Sequence, residues 1–363
     1  VASEIVGTFL GVTQFFAFGL GPSGLEILLF EAAHPANDKN PIRIAVFIPS
    51  RVHDYDHNPK NNLVSSRIRG SMSIHQEPFQ SRKIALIACS IGWGSGIESA
   101  ERGPSLLLKA GLAEQIQAST VIDIQAIPSM AVGTLEPDAI EVTIMEHVKR
   151  VSDAVVQAIS NGQFPVIIGG DHTSALGFHT GLARAYGQAG IVWVDTHPDL
   201  NTPETSLSGN IHGMVLAGLL GHGSEAMRQS TVACQIEKEH VGMVGVRDID
   251  AGEQNHLDSW GINCMTMDDV REAGLDACMK GAVESANQAP AGFGLTIDID
   301  VLDPSEAPFV ATPVEGGLFV EELVSAIATI PYAERLLGLE VVEFTPRNDG
   351  DDEGACNIMA KLI

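Results

Sequence analysis

The chain contains 363 residues, 45% of them hydrophobic, which suits one large α/β domain with an appendage or two domains. Its 46 acidic residues outnumber its 21 basic residues, for a formal net charge of −25 at pH 7. That charge argues against nucleic acid and anionic membranes as partners and suits a small cationic substrate, although solvated acidic faces are its commoner cause. The cysteines are odd in number and include no C-x-x-C pair, which predicts a reduced, cytoplasmic protein.

Residues 1–83 differ in pattern from the rest of the chain. The stretch 5–25 is uncharged, but Gly21 and Pro22 interrupt it, and no basic segment marks it as a signal peptide. Its length is marginal for a membrane span, and no membrane association is expected. Residues 50–83 are polar and are typical of a linker or disordered arm. We therefore predict an irregular N-terminal extension over 1–83, with disorder or a non-native origin as alternatives, and a main domain over 84–363.

The main domain alternates between two kinds of pattern. Apolar runs predict buried strands at 84–89, 164–168, 191–194, 241–246, 293–298 and 336–343. Amphipathic stretches between them predict helices, for example over 138–160 and 319–329. Such alternation predicts a three-layer αβα fold with a central, mostly parallel sheet. In open α/β sheets, binding sites lie at the carboxyl ends of the strands.

Potential metal ligands follow two neighbouring strands of this series. The second strand leads through a Gly-Gly turn into a helix start, which places His172 beside the strand end. The third strand leads into Asp195, His197 and Asp199, which alternate and therefore point to one side if the backbone stays extended. Two carboxylates and an imidazole that converge at a strand end make half of a metal site.

A polar stretch follows these ligands. Its side chains could hold a zwitterionic ligand beside the metal, or they could simply bond to the backbone of their own loop; they are Asn201, Ser206, Ser208 and Asn210. His212 comes directly after them. Histidine is an acid–base group near neutral pH, although a partly buried histidine with satisfied hydrogen bonds is an equal alternative.

The fifth strand supplies the other half of the metal site. It ends in Asp298, and the i, i+2 spacing to Asp300 predicts both carboxylates on one face. The complete ligand set is then His172, Asp195, His197, Asp199, Asp298 and Asp300. Four carboxylates carry too much negative charge for one divalent ion, whereas two ions relieve the repulsion. Oxygen-rich ligands with some nitrogen favour Mn²⁺ over zinc.

The motifs that carry these residues resemble those of the arginase/agmatinase superfamily of ureohydrolases, which hydrolyse guanidino compounds. They are GGDH at 169–172, DTHPD at 195–199, SGNIHG at 208–213 and DIDVLDP at 298–304, with weaker similarity at 96–112 and 339–346. The resemblance covers roughly 84–363, which makes this segment a catalytic domain. It implies an arginase-like fold, two manganese ions per subunit, all six ligands, a small cationic guanidino substrate, and a homotrimer or homohexamer.

The resemblance also implies roles for residues around the metals. A hydroxide that bridges the two ions would attack the guanidinium carbon, and Asp199 would accept its proton. Glu343 matches the carboxylate that pairs with the substrate guanidinium, although a pair with Arg347 is an alternative. His212 matches the proton-shuttling histidine of the family.

The segment 200–214 favours L-arginine among the possible substrates. It is similar to arginases, in which Asn201, Ser206, Ser208 and Asn210 would contact the substrate α-carboxylate, and it lacks the His-Gly-Thr-Pro-Phe motif of agmatinases. Asp250 matches the reader of the α-amino group, and Glu253 and Thr312 are further expected substrate contacts. The products would be ornithine and urea. Agmatinase, guanidino-acid hydrolase or guanidine hydrolase activity is the alternative, and an inactive metal-binding regulatory subunit is a remote one.

The chain departs from the family pattern at four positions. Thr196 replaces the usual alanine, Pro198 occupies a position that is usually polar or small, and Ser206 stands where threonine is common. Ala311 replaces a glycine and would be strained if the position needs a positive φ. None of these departures removes a ligand.

Overall fold

The computed structural model describes the strands within residues 4–48 by their backbone, and residues 82–97, 99–126, 137–234, 236–347 and 351–363. The chain divides into two compact units, 1–72 and 73–363. In the first unit, adjacent antiparallel strands follow chain order: β1 (Glu4–Phe9), β2 (Val12–Leu20), β3 (Glu26–Ala32) and β4 (Ile42–Ile48). The predicted linker lies almost wholly outside the described residues, and the boundary at 83 stays a prediction.

The second unit contains a parallel sheet, as predicted. Its strands are β5 (Ile84–Cys89), β6 (Thr120–Ile124), β7 (Phe164–Gly169), β8 (Gly190–Val194), β9 (Val241–Val246), β10 (Asn263–Thr266), β11 (Phe293–Asp298) and β12 (Leu336–Val342). The sheet order is β10-β9-β8-β11-β12-β7-β5-β6, and every neighbouring pair is parallel. The sequence predicted all of these strands except β6 and β10.

The sheet separates two hydrophobic cores. In β8, Val192 and Val194 face one core, whereas Ile191 and Trp193 face the other. Because side chains alternate along a strand, a strand buried on both faces needs a continuous apolar sequence, and IVWV is such a run. The fold is therefore the predicted three-layer αβα arrangement.

Helices cover both faces of the sheet. One layer contains α1 (Gly103–Lys109), α2 (Leu112–Gln115), α8 (Met267–Ala273), α9 (Leu275–Ala286), α10 (Val320–Ala328) and α11 (Asp351–Leu362). The other contains α3 (Pro137–Ser160), α4 (Ser174–Tyr186), α5 (Val215–Leu219), α6 (Glu225–Ser230) and α7 (Ala251–Trp260). Among the described helices, none has the length and apolar character that a membrane crossing requires.

The centre of the sheet determines where the predicted ligands meet. Strands β8, β11, β12 and β7 are adjacent in that order. His172 follows β7, Asp195 follows β8, and Asp298 is the last residue of β11. Because neighbouring parallel strands end at the same edge, these residues lie together at one edge of the sheet.

Candidate metal centre and substrate cavity

The first ligand cluster forms around His172. The turn before it packs closely against the backbone of Ile91: a Cβ atom on Gly170 would lie 1.8 Å from the Ile91 carbonyl oxygen, so only glycine fits there. The His172 Nδ1 atom lies 3.2 Å from Asp195 Oδ2, 3.0 Å from Asp199 Oδ2 and 3.3 Å from the Asp298 Oδ2 atom. Residues from three strand ends therefore converge within contact distance.

The second cluster forms around His197. Its Nδ1 atom lies 3.0 Å from Asp300 Oδ2 and 3.7 Å from Asp195 Oδ1. Ligand atoms of His172, Asp195 and Asp199 lie within 4.8 Å of one another, and so do those of Asp195, His197 and Asp300. Asp195 belongs to both groups, so one carboxylate joins two adjacent candidate sites.

The donor atoms fit a pair of cations. His172 is 1% exposed, yet neither ring nitrogen makes a hydrogen bond, although Nδ1 lies close to three carboxylates. One ring N–H could not donate to three carboxylates in any case. Buried polar atoms without partners are rare in native structures, and an ion is one of the few explanations for them. A divalent cation at each cluster would give these nitrogens and oxygens a common partner.

The electrostatics of the centre lead to the same conclusion. Burial raises the pKa of Asp199 to about 6, and the nearby Asp195 charge contributes to the shift. Burial and the charge of Asp300 raise the pKa of Asp298 well above its ordinary value. Carboxylates crowded together in this way hold protons unless a cation neutralises them.

The backbone after β8 does not stay extended, so that expectation was wrong. The strand ends at Val194, and Asp199 has a φ of 51°. Its carbonyl oxygen accepts hydrogen bonds from the Leu216 and Ala217 amides, at 3.1 and 3.2 Å, at the start of α5. The ligands converge because the chain turns at this point, not because they alternate along a strand.

Three residues that sequence reasoning did not select support the ligands. Trp193 donates from Nε1 to Asp195 Oδ2 at 3.0 Å and stacks on the His172 ring at 4.2 Å. The Thr196 hydroxyl donates to the Asp300 carbonyl at 2.8 Å, and Arg247 donates to the same oxygen at 2.9 Å. The i, i+2 spacing of Trp193 and Asp195 was a usable signal, since it puts both side chains on one face.

Glu343 and His212 form a pair beside the first cluster. Glu343 Oε1 accepts the backbone N–H of His172 at 2.8 Å and lies 3.0 Å from His212 Nδ1. Glu343 Oε2 is buried without a partner. Burial opposes protonation of His212, but the bond and charge of Glu343 outweigh it and raise the pKa of His212 to about 9. Glu343 thus bonds to His172 and His212, and its alternative pair with Arg347 is not formed.

A cavity of about 230 Å³ lies next to the two carboxylate–imidazole clusters. Four of the predicted ligands line it: His197, Asp199, Asp298 and Asp300. His212 lines it, and so do the residues expected to contact the amino-acid end of the substrate: Asn201, Ser206, Ser208, Asn210, Asp250, Glu253 and Thr312. Glu343, the expected partner of the guanidinium, is not among the lining residues; it lies beside His212, 3.0 Å from its Nδ1 atom. The structure therefore brings the predicted contacts for the amino-acid end of the substrate together at one place.

Several of these residues also bond within the protein. Ser206 and Ser208 accept backbone N–H groups of their own loop, at 3.0 and 3.2 Å. Asn201 donates to Asp250 at 3.0 Å, and Thr312 donates to Asp300 at 3.0 Å. The loop-bonding alternative therefore holds for the serines, although their side chains still line the cavity.

The family departures have small structural effects. Thr196 gains the bond to Asp300 described above. Ala311 is absent from the residues with positive φ in the described part of the chain, so the strain considered for it does not arise. Nothing in the structure explains Pro198.

Comparison with known proteins agrees with this site. The model of the arginase family matches residues 82–363. The chain belongs to the arginase family. It is 34% identical to arginase from Bacillus caldovelox over 290 residues, which are 77% of this chain and 97% of that relative. With its two carboxylate–imidazole clusters, this arginase-family chain is a metal-dependent ureohydrolase.

Solved arginases share its fold. The native structure of the Bacillus caldovelox arginase matches with a TM-score of 0.68 and 32% identity, over 77% of this chain and 98% of that one. Entamoeba histolytica arginase in complex with L-ornithine matches with a TM-score of 0.70 and 27% identity, over 77% and 97% of the two chains.

Proposed function

We propose that this ureohydrolase is an arginase that hydrolyses L-arginine to L-ornithine and urea. The observation that carries the proposal is the lining of the cavity: members of both carboxylate–imidazole clusters line it together with candidate partners for both ends of an amino acid. The family's arginases at about one-third identity support the same substrate.

Two Mn²⁺ ions are the proposed cofactors. His172, Asp195, Asp199 and Asp298 would hold one ion, and His197, Asp300 and the shared Asp195 would hold the other, because these atoms already lie within ligand distance of one another. When bound, the ions supply Lewis-acid activation of water near neutral pH.

The protein's own residues would orient the guanidinium and move protons. Glu343 has one carboxylate oxygen fixed by the His172 amide, and its other oxygen, which is buried without a partner, would accept a guanidinium N–H. Asp199 lines the cavity and would accept a proton from the attacking water. The leaving amine must be protonated, since an amide anion is a very poor leaving group; Asp199 or His212, which both line the cavity, would supply that proton.

The walls of the cavity would read the amino-acid end of the substrate. Asn201, Ser206, Ser208 and Asn210 offer neutral donors for the α-carboxylate. Asp250 offers a carboxylate for the α-amino group, with Glu253 and Thr312 nearby. A substrate without an α-carboxylate would leave the first group of donors unused.

Family resemblance further supports a homotrimer or homohexamer. The five cysteines are free thiols, which supports a cytoplasmic location.

The test is urea release by Mn²⁺-loaded protein from a panel of guanidino compounds: L-arginine, agmatine, a guanidino acid and free guanidine. We expect a clear preference for L-arginine. A preference for agmatine or guanidine would replace the arginase assignment with another ureohydrolase activity. Absence of urea from every compound would indicate an inactive metal-binding subunit.

A further inference from the structure

Helix α7 bonds to both backbone polar groups of Leu200, the residue that follows Asp199. The Leu200 N–H donates to Glu253 Oε1 at 3.1 Å, and His256 Nδ1 lies 2.8 Å from the Leu200 carbonyl oxygen. Because a carbonyl can only accept, His256 must carry a proton on Nδ1 and donate it. One helix thus satisfies both polar groups of this residue.

His256 is itself fixed by a stack of rings. Trp260, one turn further along α7, stacks on the His256 ring at 4.4 Å with an angle of 8° between the planes. His222 stacks on the same indole at 4.1 Å and 17°. His222 belongs to the turn after α5, where its backbone N–H donates to Ala217 at 2.8 Å.

The stack therefore connects the two helices that hold the turn at Asp199. Helix α5 donates to the Asp199 carbonyl through Leu216 and Ala217, and α7 holds the next residue, Leu200. Asp199 needs this support, because its φ of 51° is unfavourable for a residue with a side chain. A shift of the Leu200 peptide would change the direction of the Asp199 carboxylate.

We propose that His256 is a positioning residue, which holds Asp199 in its ligand geometry through the bond to the Leu200 carbonyl. The inference rests on the proposed function, in which Asp199 is a metal ligand. The His222 and Trp260 rings orient His256 but are not the groups that hold the peptide.

The test is titration of Mn²⁺ into the metal-free chain and three variants. His256→Phe keeps a planar ring for the stack but removes the donor. His256→Asn removes the stack but keeps an N–H donor on the atom next to Cγ, where Nδ1 lies. His222→Phe is the matched control: it makes the same ring replacement on the other side of Trp260 and leaves the bond to the Leu200 carbonyl in place.

We expect His256→Phe to weaken binding of one of the two ions by about tenfold, the smaller end of the effect that follows when a residue that orients a metal ligand is lost. His256→Asn should stay within about threefold of the parent chain, and His222→Phe should match the parent. At saturating metal, His256→Phe should lower kcat while KM for L-arginine stays unchanged, because the residue does not contact substrate.

Equal metal affinity of His256→Phe and the parent would overturn the inference. It would also be overturned if His256→Asn were as weak as His256→Phe, or if His222→Phe had the same effect, because the stack would then be the cause. If the parent binds two ions and His256→Phe weakens one, but no guanidino compound yields urea, the proposed function fails while the positioning role stands. A parent chain that binds no ion would overturn both.

Discussion

Two carboxylates of the centre have unusual backbone conformations. Asp199 has a φ of 51° and Glu343 a φ of 69°. For residues with side chains, such angles cost about 1–3 kcal/mol each and persist only where the surroundings enforce them. Glu343 is enforced by its N–H bond to the Gly170 carbonyl, at 2.8 Å. The backbone strain thus lies at two residues whose side chains are proposed to act in the reaction.

Thr196 contributes to the unfolding free energy through its hydroxyl, which the alanine that is usual in the family does not have. Its buried hydroxyl donates to the Asp300 carbonyl at 2.8 Å. In Thr196→Ala that carbonyl still accepts from Arg247, so the variant should lose about 0.5–1.5 kcal/mol of unfolding free energy, the usual value of one hydrogen bond. Denaturant unfolding measures this loss. Unchanged stability, or loss of metal binding, would show that the hydroxyl has another role.

Glu340 makes stability depend on pH. It is fully buried in β12 and accepts from the Ser174 and Thr296 hydroxyls, at 2.8 and 3.1 Å. Burial raises its pKa from 4.5 to about 7, against the lowering effects of His172 and the two hydroxyls. As pH rises through this window, the unfolded chain loses the proton and the folded chain keeps it. The unfolding free energy should therefore fall, by up to about 3 kcal/mol by pH 8.

The variant Glu340→Gln tests this, because it has no proton to lose. Relative to the parent at the same metal loading, it should gain about 2–3 kcal/mol of unfolding free energy between pH 5 and pH 8. Glu272→Gln, at an exposed glutamate on α8, is the control and should show no such dependence. An equal effect of Glu340→Gln at both pH values would refute the role of Glu340.

At the scale of elements, the helix layer depends on close approaches that only glycine allows. A Cβ atom on Gly242 in β9 would lie 2.3 Å from the Ala282 carbonyl oxygen of α9. Because backbone atoms cannot turn aside, strand and helix would have to separate. Gly242→Ala should therefore lower the unfolding free energy by about 1–3 kcal/mol, as overpacked cores do.

The matched control is Gly354→Ala in α11. A Cβ there would make ordinary contact with Phe309 at 3.4 Å. Alanine also favours a helix interior by about 1 kcal/mol over glycine, so this variant should be neutral or stabilising. Thermal unfolding compares the two. A Gly242→Ala chain as stable as its parent would contradict the close packing of β9 and α9.

The elements that sequence predicted are the ones buried on both faces of the sheet. The run Phe293–Asp298 is fully buried, so its apolar sequence indicated a central strand. The missed strands lie at the two edges, where β6 (TVIDI) is mostly exposed and β10 (NCMT) only half-buried. Their sequences carry little of the pattern that burial imposes. The turn at Asp199 was also missed, because distant α5 and α7 impose its positive φ.

For the site, motif spacing predicted ligand identity but not ligand support. Asp195 and His172 stand in recognisable motifs, whereas Trp193 and Thr196 acquire their roles only through contacts across the fold. His256 is 56 residues along the chain from Leu200, whose carbonyl it contacts. No local pattern reports such a pairing.

At the scale of the whole molecule, the sheet order concentrates charge. Adjacent central strands bring four carboxylates into a buried centre, within a chain whose formal net charge is −25. Two divalent cations would compensate the charge of these four groups. The net negative charge that the chain keeps with both ions bound would favour the approach of a cationic guanidino substrate.

The most direct test of the account is the number of Mn²⁺ ions bound per chain. We expect two for the parent chain, and loss of tight binding at both sites in Asp195→Asn, because Asp195 belongs to both clusters. Asp248→Asn is the control: its side chain is 62% exposed and 3.6 Å from His197, and the variant should still bind two ions. A parent chain that binds fewer than two ions, or an Asp195→Asn variant that still binds two tightly, would contradict the paired centre.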